Sequence, residues 1–294
     1  MTVAGLTAVA ACRLAQGELT GNDARFFVLE AETWAGAEAS LIGAAGGLAL
    51  GGKIPLVNLS SAGALIRACE QVRLDLCYHK ANAKLFASID GRAIEDLAVA
   101  RSLPNLTVVA PADATAAYQA TLAAGAHPGP VYIRLAGLAQ NIAPQVYGPE
   151  HRLEIGRGIV LRDGSDLTLV AAGLTVVAEA LAAAELLRRD GIDARVIDLH
   201  TIKPVDRALI QQAAEETGLI LTVEEHPVRG GLGGAVAEVL GDVCPVPMRI
   251  LGISDSGRDA CREPGGTRED RLRFYGLDAS GIAASARRAL EQTA

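Results

Sequence analysis

The stretch Arg101-Ser102-Leu103-Pro104-Asn105-Leu106-Thr107-Val108-Val109-Ala110-Pro111-Ala112-Asp113-Ala114 changes its period twice. A helical pattern running from Ala93 stops at Arg101, and Pro104-Asn105 punctuates it as a turn. Leu106–Ala110 is a short apolar, β-rich run, and Pro111 separates it from a second helical pattern over Ala114–Ala124. Helix, buried strand and helix joined by short turns form the repeating unit of an α/β fold with a parallel sheet.

Outward from that unit the alternation holds. In the first half strands are predicted near Ile54–Leu59, Lys84–Ser88 and Val131–Leu135, the last of them behind Pro128-Gly129-Pro130. Helices are predicted near Ala35–Leu50 and Ala62–Leu74. Ala136–Glu154 loses periodicity and carries Pro144, Gly148 and Pro149, the composition of a linker. Beyond it strands are predicted near Asp166–Ala172, Asp193–Asp198, Gly218–Glu224 and Pro247–Leu251. Helices are predicted near Val176–Arg189, Asp206–Thr217, Gly233–Leu240 and Asp278–Thr293. The expected fold is therefore α/β in two domains, each a mainly parallel sheet flanked by helices. The expected bounds are 1–140, a linker over 141–155, and 156–294.

Length and composition agree. The 294 residues are about twice a ~150-residue domain. Half are hydrophobic and 21% charged, too apolar for a disordered chain. Four Phe, five Tyr and one Trp leave aliphatic side chains to fill the cores. The net charge is −7 and neither half has a basic excess, which excludes the electrostatic footprint of a nucleic-acid binder. The five cysteines (Cys12, Cys69, Cys77, Cys244, Cys261) show no C-x-x-C or zinc-like spacing and read as reduced thiols. The N-terminus has no basic residue ahead of its apolar stretch, a poor secretory signal. Ala35–Gly52 is interrupted by Glu38, Ser40 and glycines, so it is not a membrane span. A soluble, cytoplasmic protein is expected.

Several motifs fail on inspection. Gly230-Gly231-Leu232-Gly233-Gly234 opens a helix but has Val236 where a dinucleotide fingerprint needs its third glycine; a tight turn with close helix–sheet packing explains it better. No phosphate-binding P-loop occurs, and Gly252-Ile253-Ser254-Asp255-Ser256 lacks the last glycine of a nucleophile elbow. No histidines group as metal ligands. His226 is retained because it follows Glu224-Glu225 at the carboxyl end of a predicted strand, where open α/β sheets place ligands. Glu38 is retained because its surroundings, Ala35 to Gly46, are otherwise small or apolar. Desolvation there would raise its pKa; the alternative is a solvated glutamate on a helix face.

Gly47-Leu48-Ala49-Leu50-Gly51-Gly52-Lys53-Ile54-Pro55 and the Arg101–Ala114 stretch resemble the pyrimidine-binding domain of the transketolase family, as does Gly129-Pro130-Val131-Tyr132-Ile133-Arg134-Leu135. Asp198-Leu199-His200-Thr201-Ile202-Lys203-Pro204-Val205-Asp206, Glu224-Glu225-His226, Gly230-Gly231-Leu232-Gly233 and Tyr275-Gly276-Leu277-Asp278 are similar to its C-terminal domain. The likeness covers roughly residues 25 to 290. The G-D-G…N pattern that holds the cofactor's diphosphate through Mg²⁺ has no match; Asp90-Gly91-Arg92 lacks the leading glycine.

The resemblance implies the C-terminal subunit of a split transketolase, transferring a two-carbon ketol or acyl unit. It implies thiamine diphosphate bound at the interface with an N-terminal, diphosphate-binding subunit in a heterotetramer, and Mg²⁺ held mainly by that partner. Glu38 would face the aminopyrimidine ring and serve with His226 in catalysis; Glu32 competes for the glutamate's place. Where the family stacks aromatics on the pyrimidine, counting back from Arg67 places Asn58 and Ser61, so that platform is absent or rebuilt. After Phe86-Ala87-Ser88 a glycine-rich loop is missing, with Gly91 and Arg92 in place of its His-Gln pair, which suits a smaller or carrier-bound substrate. Two alternatives share the fold: a 2-oxoacid-dehydrogenase-type or deoxyxylulose-phosphate-synthase-like enzyme, and a non-catalytic scaffold subunit.

Overall fold

The computed structural model describes residues 3, 5–30, 37–88, 94–135, 142–254 and 267–293. The chain forms two compact units, Met1–Ile155 and Gly156–Ala294.

In the first unit the order is α1 (Ala8–Asn22), β1 (Phe26–Glu30), α2 (Glu38–Leu50), β2 (Ile54–Asn58), α3 (Ala62–Arg67) and α4 (Cys69–Gln71). A π-helical turn over Val72–Tyr78 follows, then β3 (Lys84–Ser88), α5 (Asp96–Ser102), β4 (Thr107–Val109), α6 (Ala114–Ala126) and β5 (Val131–Leu135). These five strands pair in parallel in the order β1-β2-β3-β5-β4. Parallel pairing puts all their carboxyl ends on one edge, where loops and helix starts assemble a site. β2, β3 and β5 are almost entirely buried, as strands covered by helices on both faces must be.

The expected single helix over Ala62–Leu74 is broken at Ala68 and resumes as the π turn. α2 lies against that turn: a Cβ on Gly46 would stand 3.1 Å from both Cβ and the carbonyl oxygen of Asp75, an approach open only to glycine. The α1 and β1 elements were not foreseen. Thr7 caps α1, accepting from the Ala10 N–H at 3.1 Å. Residues 142–155 hold neither helix nor strand, yet they belong to the first unit. Asp113 caps α6 through Oδ1, bonded by the Ala116 N–H at 2.7 Å, and its Oδ2 accepts from the N–H groups of Val146 and Tyr147, each at 2.7 Å. One carboxylate thus ties the segment down.

Charged side chains lie inside this unit. Asp96, Tyr132 and Arg134 form a buried cluster at the start of α5. At the opposite end of β3 from the strand-end edge, Lys84 donates to Asn82 Oδ1 at 2.7 Å and to the His127 and Gly129 carbonyls at 2.6 Å each. Those three acceptors match its three N–H donors, while burial pushes its pKa down from 10.5 to about 7. Between those values the unfolded chain binds the proton that the folded chain has released, so stability contributed at this site rises with pH across that window. The unfolding free energy should therefore rise with pH more steeply than that of Lys84→Met, by up to about 1.4 kcal/mol per pH unit. Denaturant titrations from pH 6.5 to 10 check this; parallel pH profiles would refute it. Burial also pushes the Cys12 thiol up to about 12. Cys12, Cys69, Cys77 and Cys244 are free thiols; Cys261 lies outside the described residues.

The second unit runs β6 (Ile159–Arg162), β7 (Leu167–Ala172), α7 (Val176–Arg189), β8 (Ala194–Asp198), β9 (Thr201–Lys203), α8 (Arg207–Thr217), β10 (Ile220–Pro227), α9 (Leu232–Val243), β11 (Met248–Ile253), α10 (Arg268–Tyr275) and α11 (Ala279–Thr293). Its sheet has the order β11-β10-β7-β8-β6, parallel except for β6, which joins β8 antiparallel. β7 is wholly buried at the centre. No helix among the described residues is long and apolar enough to cross a membrane.

Candidate active site

Three sequence-derived candidates follow the carboxyl ends of strands in the first unit, and of them Asn58 lines the cleft there. Glu38 opens α2 beyond β1, Asn58 ends β2, and Ser61 is the residue before α3. Glu38 is only 3% exposed, so the apolar run does bury its carboxylate. Arg67, at the end of α3, donates to Glu38 Oε1 through Nη2 at 2.6 Å and Nε at 3.2 Å. The carboxylate is held by a half-exposed guanidinium. No local pattern announced Arg67: it lies 29 residues from Glu38, and only the packing of α2 against α3 joins them. Ser61 is buried. Glu32 lies outside the described residues, as do residues 89–93 with Gly91 and Arg92.

Beside these residues the strand ends enclose a cleft of about 290 Å³. Asn58, Leu59 and Ser60 line it from β2 and the turn after it, Phe86 and Ser88 from β3, and Arg13 and Glu30 from α1 and β1. Gln16 and Glu30 bond Asn58 across 42 and 28 residues and Arg13 pairs with Glu30 across 17, so no local pattern marks them. The one legible clue is the strand register, which sets Glu30 directly beside Asn58.

His226 lies elsewhere, in β10 of the second unit, and it is fully buried. Its Nδ1 donates to the Pro227 carbonyl at 2.8 Å. Its ring is packed inside the second unit and does not line the cleft of the first. Its neighbour Glu224 explains the glycine cluster. Glu224 accepts from the N–H groups of Leu232 at 2.6 Å and Gly233 at 2.8 Å, so the start of α9 is filled by the chain's own carboxylate rather than by phosphate. A Cβ on Gly231 would stand 1.9 Å from Glu224 Oε2. The glycine is there for this packing.

Among the described residues no three His, Cys, Asp or Glu side chains converge as a metal site. The donor set suits the ring end of a heterocyclic cofactor: a buried carboxyl fixed by an arginine, next to a cleft at a sheet edge.

Comparison with known proteins agrees with this division. Residues 36–138 match the transketolase pyrimidine-binding domain and residues 156–282 the transketolase C-terminal domain. The chain is 40% identical over 229 residues to the 6-deoxy-6-sulfo-D-fructose transketolase subunit SqwH of Clostridium sp. (strain MSTE9), covering 74% of this chain and 70% of that one. It is 39% identical over 261 residues to an apulose-4-phosphate transketolase subunit of Phocaeicola vulgatus, covering 85% and 80%. A solved split-gene transketolase, described as an inactive β4 tetramer, superposes with a TM-score of 0.87 at 37% identity, over 98% of this chain and 99% of that one. Two domains in the same order, matched along nearly the whole length by separate subunits, leave one assignment: the chain belongs to the transketolase family and corresponds to the C-terminal subunit of its split members.

Proposed function

We propose that the chain acts with a diphosphate-binding N-terminal subunit, in a heterotetramer, to transfer a two-carbon ketol or acyl unit. Thiamine diphosphate lies between the two subunits, and its Mg²⁺ is held mainly by the partner. The observation that carries this reading is Glu38: a buried carboxylate at the carboxyl edge of the sheet, where the family places the glutamate facing the aminopyrimidine. Sugar substrates in the names of the related subunits support a keto-sugar donor; the acceptor is a small or carrier-bound carbonyl compound. The site of action is the cytoplasm.

When bound, the cofactor supplies a nucleophilic carbon and an electron sink. The chain's task is orientation and proton handling. Glu38 would hold its carboxyl toward the ring as the proton-exchanging group, with Arg67 fixing Oε1 and the burial of Glu38 limiting water. Asn58 and Ser61 face the ring from the end of β2. Mixed with the diphosphate-binding subunit, thiamine diphosphate and Mg²⁺, the chain should release an aldose from a ketose donor and pass the two-carbon unit to an aldehyde. Stable assembly without turnover on any ketose or 2-oxoacid donor would instead identify a scaffold.

A further inference from the structure

Where aromatic side chains are expected against the pyrimidine, β2 ends in Asn58, and its carboxamide is unusually constrained. Gln16 Nε2 donates to Asn58 Oδ1 at 2.8 Å, while Asn58 Nδ2 donates back to Gln16 Oε1 at 3.0 Å and across to Glu30 Oε1 at 2.9 Å. A carboxamide has two N–H donors, and both are used. The reciprocal pair with Gln16 closes a ring of two amides, which hydrogen bonding near the carbonyl plane tends to flatten. Turning the Asn58 amide over would set Oδ1 against the Glu30 carboxylate and against Gln16 Oε1, so one orientation alone is stable.

The lock has its own support. Gln16 is 2% exposed within α1, and Glu30 is tied to Arg13 at 3.3 Å. Both come from α1 and β1, ahead of the residues 36–138 that match the pyrimidine-binding domain. Asn58 lines the strand-end cleft. With its N–H groups satisfied inside the chain, it offers the cleft the flat face of a fixed amide rather than hydrogen-bond donors.

We propose that Asn58, locked by Gln16 and Glu30, is a rigid amide platform on which the pyrimidine ring stacks in place of an aromatic side chain. This rests on the cofactor reading above. Gln16 and Glu30 are then positioning residues that act through Asn58.

The test is the Kd of thiamine diphosphate for the chain assembled with its diphosphate-binding subunit and Mg²⁺, measured calorimetrically. Gln16→Met keeps the volume and removes the amide; loss of the lock should raise Kd about three- to tenfold, the range of one net hydrogen bond. Asn58→Phe should bind at least as tightly as wild type, since a phenyl ring stacks without a lock and the cleft has room for it. Gln16→Met should then cost nothing in the Asn58→Phe background. An unchanged Kd in Gln16→Met, or an equal cost in both backgrounds, would overturn the platform, the second result showing that Gln16 serves packing only. In the isolated chain, the Asn58 side-chain NH₂ protons should exchange slowly by NMR and lose that protection in Gln16→Met; fast exchange in the wild type also overturns it. Wild-type complex that binds no thiamine diphosphate while the NH₂ protons remain protected would refute the cofactor reading, and the platform with it, but leave the lock itself standing.

Discussion

Glu38→Gln should lower kcat/KM of the assembled enzyme by about 10²–10⁴-fold, the range associated with removing a positioned general acid or base. The substitution keeps shape and hydrogen-bonding capacity while abolishing the carboxyl's ability to exchange a proton. Its chief structural side effect is local. Arg67 would face a neutral amide instead of the carboxylate it now meets at 2.6 Å, but its guanidinium is half-exposed and water can take over the lost charge pairing. The variant should therefore fold and assemble with its partner, which circular dichroism and sedimentation would verify. The affinity for cofactor separates the possible roles. A residue acting on proton movement loses kcat with a small change in cofactor Kd; one that only braces the wall loses Kd and spares kcat at saturating cofactor. Full activity in Glu38→Gln would remove Glu38 from the mechanism and reopen the question for Glu32.

What could be read from sequence and what could not divide along physical lines. β3 and β5 are short, mostly apolar runs bounded by turns, and their observed limits coincide with the expected Lys84–Ser88 and Val131–Leu135. β1 escaped because it is an edge strand burying only Phe26 well, with Phe27 and Val28 substantially exposed. β6 escaped for the same reason. α10 has scarcely an apolar face; it is held by a capping box in which Thr267 accepts from the Asp270 N–H and the Asp270 carboxylate accepts from the Thr267 N–H. That S/T-x-x-D/E-like spacing is visible in the sequence, whereas periodicity alone misses it. In the site, Glu38 was legible as a lone acid in an apolar run. Arg67, Gln16 and Glu30 were not, since each meets its partner only through the fold. His226 lies near the carboxyl end of β10 as its position suggested, but the burial of its ring is set by packing that the sequence pattern does not show.

The largest expected loss of stability follows from removing Asp96. This carboxylate is completely buried at the first position of α5. It accepts from the Tyr132 hydroxyl at 2.7 Å and from Arg134 Nε at 3.0 Å. Tyr132 and Arg134 are two apart on β5, so their side chains leave the same face of the strand, and Asp96 joins both to the helix above. Burial, and then the Asp96 charge, pushes the Tyr132 pKa well above its ordinary value, which keeps the phenol a donor. Asp96→Ala would leave the Arg134 guanidinium inside the unit without its carboxylate, a defect that costs about 3–5 kcal/mol. For a unit of this size that lowers Tm by about 10 °C. Circular dichroism against temperature follows the transition. Asp96→Asn distinguishes the causes. If the uncompensated charge dominates, it should be nearly as damaging as alanine; if the hydrogen bond to Tyr132 dominates, the amide should restore most of the loss. Replacing the cluster together, by Asp96→Leu, Arg134→Met and Tyr132→Phe, removes every orphaned polar group at once. It should recover most of the stability, because a buried ion pair seldom outperforms well-packed apolar side chains of similar volume. A triple variant no more stable than Asp96→Ala would show instead that the cluster determines how α5 docks on the sheet.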